Sequence, residues 1–317
     1  MSAGTRGITL CADDYALHPL VDEAVVLLAQ AGRLSATSCM STAPRWREAA
    51  PQLLPLRGRI QLGLHFNLTE GHGGAHAAHS LGQVLTAAYT RRLPASALQD
   101  AWRAQLDAFE DAIGSAPDFI DGHQHVHQLP GVRRALLAEL QRRYAGRAMP
   151  WVRSTAPAGR LWRDPKAFVI ALLGGWSATR LLRRAGVLQN QGFGGVYGFD
   201  AATPGEYGAL MQAWLEEARD GSLLMCHPAT AEVPGDAIGR QRPVEFAYLM
   251  SDAFAQALQR QGCQGFRQDA DTGIYRRRLH GRKLIDVLAA GRWPKEITEI
   301  RADVIVLRLV PSTEQAG

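Results

Sequence analysis

The sequence predicts an α/β fold in which parallel strands are wrapped by helices. Two observations carry that reading. Over the first 150 residues, short apolar runs alternate with stretches of helical periodicity, the βαβα order that makes neighbouring strands parallel. Acidic residues and histidines then stand where several of those runs stop, and functional groups in such folds gather at the carboxyl ends of the strands.

The elements follow in order. Gly7 to Cys11 reads as a buried strand and Pro19 to Ala31 as an amphipathic helix. Ala36 to Ser41 is a second strand, Trp46 to Leu54 a second helix, and Ile60 to Asn67 (IQLGLHFN) a third strand. Gly71 to Pro94, rich in Gly, Ala and His, is expected as a long loop over the site. Ala97 to Ile113 predicts a helix, Phe119 to Pro130 (FIDGHQHVHQLP) begins as a strand, and a helix follows through Tyr144. Farther on, Ala167 to Ala185 predicts a helix and QGFGGVYGFD a glycine-rich strand or turn. Pro204 to Arg219 is a helix, SLLMCHPA a strand, and Glu245 to Gln261 a helix. The text after Asp269, with its strand-like ADVIVLRLV, carries no assignment, and neither a repeat nor a Pro/Ser-rich linker divides the chain.

Composition narrows the function classes. The 317 residues are 46% hydrophobic and 21% charged, a globular balance. The formal charge of +5 and pI near 9.2 raise the question of nucleic acid. The excess is largely arginine in helical text such as LLRRAG and QRRYAGR, which a solvated helix face explains, and no base-stacking motif or zinc-finger spacing accompanies it. No nucleic-acid partner is expected. The start, MSAGTRGITLCADDY, lacks the features of a signal peptide, and AFVIALLGGW is too short to span a bilayer, so no transmembrane segment is expected. Cys11, Cys39, Cys226 and Cys263 are scattered, as suits buried free thiols in a reducing cytoplasm.

Four strand ends carry chemistry. In CADDYALH, a single Asp would serve as a helix N-cap, whereas the adjacent Asp13 and Asp14 point in different directions and suit different tasks, one on a metal and one as a base. In LGLHFNLTEG, His65 ends an apolar run. In DGHQHVHQLP, an extended backbone would turn Asp121, His123, His125 and His127 to one face. Such a face packs poorly but suits a metal or proton transfer. In LLMCHPA, His227 ends the last apolar run. Two imidazoles and a carboxylate leave positions open on a divalent ion, as catalytic sites require, and an unligated Asp is then free to take a proton from water.

ADD, GLHFNLTEG, DGHQHVH and MCHPA, together with RPVEFAYLMS, resemble the YdjC-like carbohydrate deacetylases from about Gly7 to Phe266. The resemblance implies a modified TIM-like (β/α) barrel over residues 1–269, a C-terminal extension over 270–317, and metal-dependent removal of an acetyl group from an N-acetylated amino sugar. By motif, Asp14, His65 and His123 would ligate one divalent metal ion, Mg or Zn. Asp13 would be the general base, and His227 the general acid or intermediate-stabilising group. Asp121, His125 and His127 would stand behind the ligands, orienting His123, or face the substrate.

Some residues depart from the family pattern. Tyr15 stands where Phe is more familiar, Gln124 replaces a histidine, and the 71–94 stretch and the tail differ most. His72, His76 and His79 read as solvated. Trp151, Trp162, Trp176 and Tyr197 read as core or ordinary surface, although each is able to stack on a sugar. Two rivals stand beside this reading. One is an amidohydrolase using the Asp-x-His-x-His strand with two metals, which leaves ADD unexplained. The other is a non-catalytic sugar-binding relative, which has no need of Asp13. A homodimer is compatible with the sequence.

Overall fold

The computed structural model describes residues 6–72, 80–157 and 165–265, and the backbone of three short strands beyond them. His76, His79 and Trp162, singled out above, lie outside the described residues. Contacts divide the chain into Met1–Gln268 and Asp269–Gly317.

The first unit is a curved parallel sheet. Its strands are β1 (Arg6–Tyr15), β2 (Ala36–Cys39), β3 (Gln61–Phe66), β4 (Phe119–Gly122), β5 (Trp151–Val152), β6 (Gly192–Gly194) and β7 (Ser222–Cys226). They lie in the order β5-β4-β3-β2-β1-β7-β6, and a bridge between Pro157 and Phe193 brings the two edges together. A short β8 (Cys263–Gly265) pairs with Arg6–Ile8 of β1. Helices on the outside include α1 (Pro19–Gln30), α2 (Trp46–Leu53), α3 (Leu81–Tyr89), α4 (Ala95–Ile113) and α5 (Val132–Arg143). The fold is thus the expected α/β barrel-like wrap of parallel strands.

Alternation along the strands sorts the interior. Leu10, Ala12, Leu62, Leu64, Ile120, Val152 and Leu224 pack outward with the helices. Cys11, Ala36, Phe119, Trp151, Leu223 and Met225 join a second apolar cluster inside the curve. Because every second residue shares a face, the residue two steps farther along each strand stands above that inner layer. Those residues are Asp13, Ser38, Asp121, Arg153 and His227, and Gly63 leads in the same way to His65. A side chain at Gly63 would lie 2.3 Å from the Phe119 ring, so the inner layer requires glycine there. A polar layer therefore caps an apolar one at the carboxyl ends of the strands.

Several expectations change. The histidine segment does not continue as a strand. β4 stops at Gly122, and the chain winds through tight turns over His123–Gln128, with Gln124 and His125 at φ 50° and 60°. Gly122 is needed there, since a Cβ would meet the His127 backbone nitrogen at 2.9 Å. Asp121, His123, His125 and His127 consequently do not share one face. Within the expected 71–94 loop, α3 forms behind a capping box of Ser80 and Gln83. The 167–185 helix is interrupted by a π-helical turn at Ala171–Gly175, between α6 (Pro165–Ile170) and α7 (Trp176–Arg184). After α8 (Pro204–Glu217), the last expected helix begins earlier and divides at Ser251 into α9 (Arg242–Met250) and α10 (Asp252–Arg260). In the second unit, β9 (Tyr275–Arg277), β10 (Glu296–Arg301) and β11 (Val304–Arg308) pair antiparallel in the order β10-β11-β9. Among the described residues, no helix is long and apolar enough to cross a membrane.

Candidate metal centre

Asp13 and Asp14 lie inside β1 rather than capping α1, whose N-cap is His18. A regular strand would send two neighbouring side chains to opposite faces. Here the pairing with β2 slips between Ala12 and Tyr15, and Asp14 adopts φ 69°. Irregularities of this kind re-aim side chains beside functional sites, and Asp is one of the few residues that tolerates this conformation. The following turn, with Ala16 at φ 74°, is held by Asp22, whose Oδ1 accepts from the Ala16 nitrogen at 2.6 Å. Both acids thereby reach the same end of the barrel, but different companions.

Asp14 meets imidazoles. Its Oδ1 is 3.3 Å from His65 Nε2 and 2.9 Å from His123 Nδ1. Its Oδ2 accepts from Arg242 at 2.8 Å, and the buried Arg242 is also tied to Asp236. Ligand atoms of Asp14, His65 and His123 all lie within 4.8 Å of one another. Ligands about 2.0–2.2 Å from a zinc-sized ion sit roughly 3.0–3.5 Å apart, and the two Asp14–imidazole pairs, at 2.9 and 3.3 Å, are close to that spacing, so these groups could hold a metal ion. The electrostatics agree. Burial pulls His65 down, yet Asp121, hydrogen bonds with Asp121 and Asp14, and the charge of Asp13 push it up to about 10. Burial likewise opposes, and Asp14 and Glu70 outweigh it, in raising His123. Surroundings that retain extra protons attract cations generally. Burial would raise Asp14, but Arg242 and His123 hold it well below the usual carboxylate range.

His65 is fixed from behind by its place in the sheet. It is the register partner of Asp121 across β3 and β4, and its Nδ1 is 2.7 Å from Asp121 Oδ1 and 3.0 Å from Ser38 Oγ. Asp121 thus holds His65 rather than His123.

Asp13 meets a guanidinium. Arg153 donates to both its oxygens at 2.6 Å, reaches Asp121 Oδ2 at 2.5 Å, and donates to Cys11 Sγ at 3.2 Å. Ser38 also donates to Asp13 Oδ1 at 3.1 Å. Burial would raise Asp13, but Arg153 outweighs it, helped by His65 and His227, and keeps it ionised. Cys11, Asp13 and Asp121 gather ligand-type atoms of their own, yet the fixed arginine already stands among them.

His227 lies beyond β7, with Nε2 4.0 Å from Asp13 Oδ2. Its backbone nitrogen donates to Glu245 Oε2 at 2.6 Å, Tyr197 donates to the other oxygen of Glu245, and the ring meets Phe199 edge-on. His227 Nδ1 has no hydrogen-bond partner among the described residues.

The remaining candidates fall elsewhere. His127 is buried beside Arg153, its Nε2 3.1 Å from the Arg153 carbonyl, and burial brings it down to about 4. His125 stands edge-on to Phe193, and burial lowers it too. Neither reaches the Asp14 group. His72 is partly buried, with Nδ1 3.5 Å from Asn67. Trp151 stacks on Phe119 in the core, Tyr197 is buried, and Trp176 is exposed. The sequence reading missed Ser38, Arg153, Arg242 and Glu245. Ser38 and Arg153 had a signal, since each stands two residues past an inward apolar residue.

Comparison with known proteins bears on the family and the fold. The YdjC-like protein family matches residues 7–260. A carbohydrate deacetylase of Mus musculus is 32% identical over 149 residues, 42% of this chain and 47% of that protein, so the chain spans about half the length of such curated relatives. A chitooligosaccharide deacetylase of Proteus mirabilis (strain HI4320) is 28% identical over 267 residues, 80% of this chain and 94% of that protein. A crystal structure described as a putative cellobiose-phosphate cleavage protein from Enterococcus faecalis V583 shares the fold, with TM-score 0.61 and 18% identity over 83% of this chain and 98% of that one. With a match from the first strand through the last helix of the barrel, the chain belongs to the YdjC-like protein family.

Proposed function

We propose that this protein is a carbohydrate N-deacetylase that hydrolyses the acetamide of an N-acetylated amino sugar and releases acetate, using one divalent cation. The observation that carries the reading is the meeting of Asp14, His65 and His123, drawn from three separate segments, with Asp13 alongside. The names of the mouse and Proteus relatives support the substrate class. A bound cation would supply Lewis acidity toward the acetamide carbonyl and its attacking water. Asp14 Oδ1, His65 and His123 would hold it, and an imidazole-rich donor set favours zinc over magnesium.

The chain's own groups do the rest. Arg153 keeps Asp13 ionised and fixed, so Asp13 is ready to accept the proton of the attacking water. Bonded at both oxygens by Arg153, Asp13 is a weak base. His227, whose Nε2 is 4.0 Å from Asp13 Oδ2, would protonate the leaving amine. The two-metal amidohydrolase reading is less well supported, because among the described residues Arg153 already stands within the other acidic group, Cys11, Asp13 and Asp121. Four buried free cysteines keep the cytoplasm as the expected compartment.

Acetate release from a panel of N-acetylhexosamine donors, free, oligomeric, lipid-linked and nucleotide-linked, tests the reading with Zn, Mg, Mn or chelator present. Turnover that stops on chelation and returns with metal, and His65→Ala and His123→Ala proteins that lose the ion, are the expected results. Full occupancy in both variants, or acetate release indifferent to chelator, would overturn it.

A further inference from the structure

We propose that Glu70 is a positioning residue for the cation: it accepts a hydrogen bond from Nε2–H of His123 and so reserves the Nδ1 lone pair for the ion. The proposal rests on the reading that Asp14, His65 and His123 hold that ion. A neutral imidazole carries one proton, and the partner of one nitrogen decides whether the other is free to ligate. His123 Nδ1 faces Asp14, while Nε2 is 3.4 Å from Glu70 Oε1. His65 shows the complementary arrangement, with Nε2 toward Asp14 and Nδ1 held by Asp121. Each imidazole is therefore backed by a carboxylate on the nitrogen that faces away from Asp14.

The two backing acids differ in how they are held. Asp121 sits within the sheet, fully buried, whereas Glu70 lies in the loop after β3 with its side chain 42% exposed. A loop carboxylate needs anchoring to hold an imidazole, and the structure provides it. Asn67 Oδ1 accepts from the Thr69 and Glu70 nitrogens, both at 2.9 Å, and Asn67 Nδ2 donates to the Glu70 carbonyl at 3.2 Å. Asn67 itself is clamped by the buried Gln105 of α4. Gln105 Oε1 accepts from the Asn67 nitrogen and Gln105 Nε2 donates to the Asn67 carbonyl, each at 2.8 Å. A continuous set of contacts thus runs from a helix outside the sheet to the nitrogen behind one ligand.

The experiment uses the full chain, stripped of metal, as wild type, Glu70→Ala and Glu70→Gln. Zinc affinity is measured by competition with a chromophoric chelator. The His123 tautomer is read from ¹⁵N imidazole NMR on histidine-labelled protein, at a pH high enough for the ring to be neutral, assigned with His123→Ala. Expected are zinc binding weakened roughly 10–100-fold in Glu70→Ala, a His123 tautomer no longer confined to Nε2–H, and recovery of much of both by Glu70→Gln, whose amide oxygen still accepts. Melting temperatures of the metal-free proteins should coincide. Unchanged affinity and tautomer in Glu70→Ala would overturn the proposal, as would equal weakening in both variants with the tautomer intact. Zinc uptake by wild type separates the two ideas: its absence would sink the parent reading, while uptake indifferent to Glu70 would sink only this one.

Discussion

Asp13 and Asp14 are neighbours in the chain and opposites in their surroundings. The Asp13 pocket is closed and electrostatically finished, with a buried arginine, a serine hydroxyl and a thiol around a carboxylate held far below its usual range. The Asp14 pocket is less completely neutralised. One oxygen is occupied by Arg242, and the other faces two imidazoles that take up protons readily. A permanent cation neutralises the first acid, and the proposed ion would neutralise the second. The irregularity in β1 that turns Asp14 to φ 69° makes this division possible, because a regular strand would separate the two acids across its faces.

If the division is real, variants in the two pockets must fail differently. The largest effect is expected from Asp13→Asn. Acetate release should fall by about 10²–10⁴-fold, the range for a lost general base, while zinc stays bound, as a parallel metal assay would read. Loss of the ion together with the activity would merge the pockets and break the comparison.

Next is Arg153→Ala, which strands Asp13 and Asp121 without their cation. Removing one partner of a buried ion pair costs about 3–5 kcal/mol, and urea unfolding should show a loss of that size. Arg242→Ala should cost less, because Asp14 keeps its imidazoles and Asp236 is partly exposed. Equal losses would mean that the Asp14 pocket is as closed as its neighbour.

The smallest effect lies just outside both. Burial, against the Ala16 hydrogen bond and Arg45, raises Asp22 to about 6. The folded protein then holds a proton that the unfolded chain has released, so stability falls as pH rises from about 4 to 6. Asp22→Asn, which still accepts from Ala16, should remove that decline in urea midpoints measured across the window. An unchanged slope would contradict the assignment.

How much of this was legible in the chain depended on which physical rule placed each residue. Asp13, Asp14, His65 and His227 were visible because apolar runs stop at or beside them. The alternation that found them also sorts Cys11, Phe119 and Trp151 inward, and would have led to Ser38 and Arg153. Trp151–Val152 is too short a strand to announce itself, however, and Arg153 passed unnoticed. The histidine segment misled for the opposite reason. Its alternation mimics a strand, but Gln124 and His125 take left-handed conformations that composition does not advertise, and tertiary packing of His127 on Gly122 fixes the turn. Arg242 and Glu245 stand inside RPVEFAYLMS, yet nothing local tells that one reaches Asp14 and the other holds the His227 backbone.

The most direct test is to locate the ion. Crystals grown with one equivalent of zinc and measured on both sides of the zinc absorption edge should give one anomalous peak per chain, within coordination distance of Asp14, His65 and His123 and apart from Arg153. A peak among Cys11, Asp13 and Asp121, or zinc bound stoichiometrically at some other part of the surface, would contradict the division between the two acids.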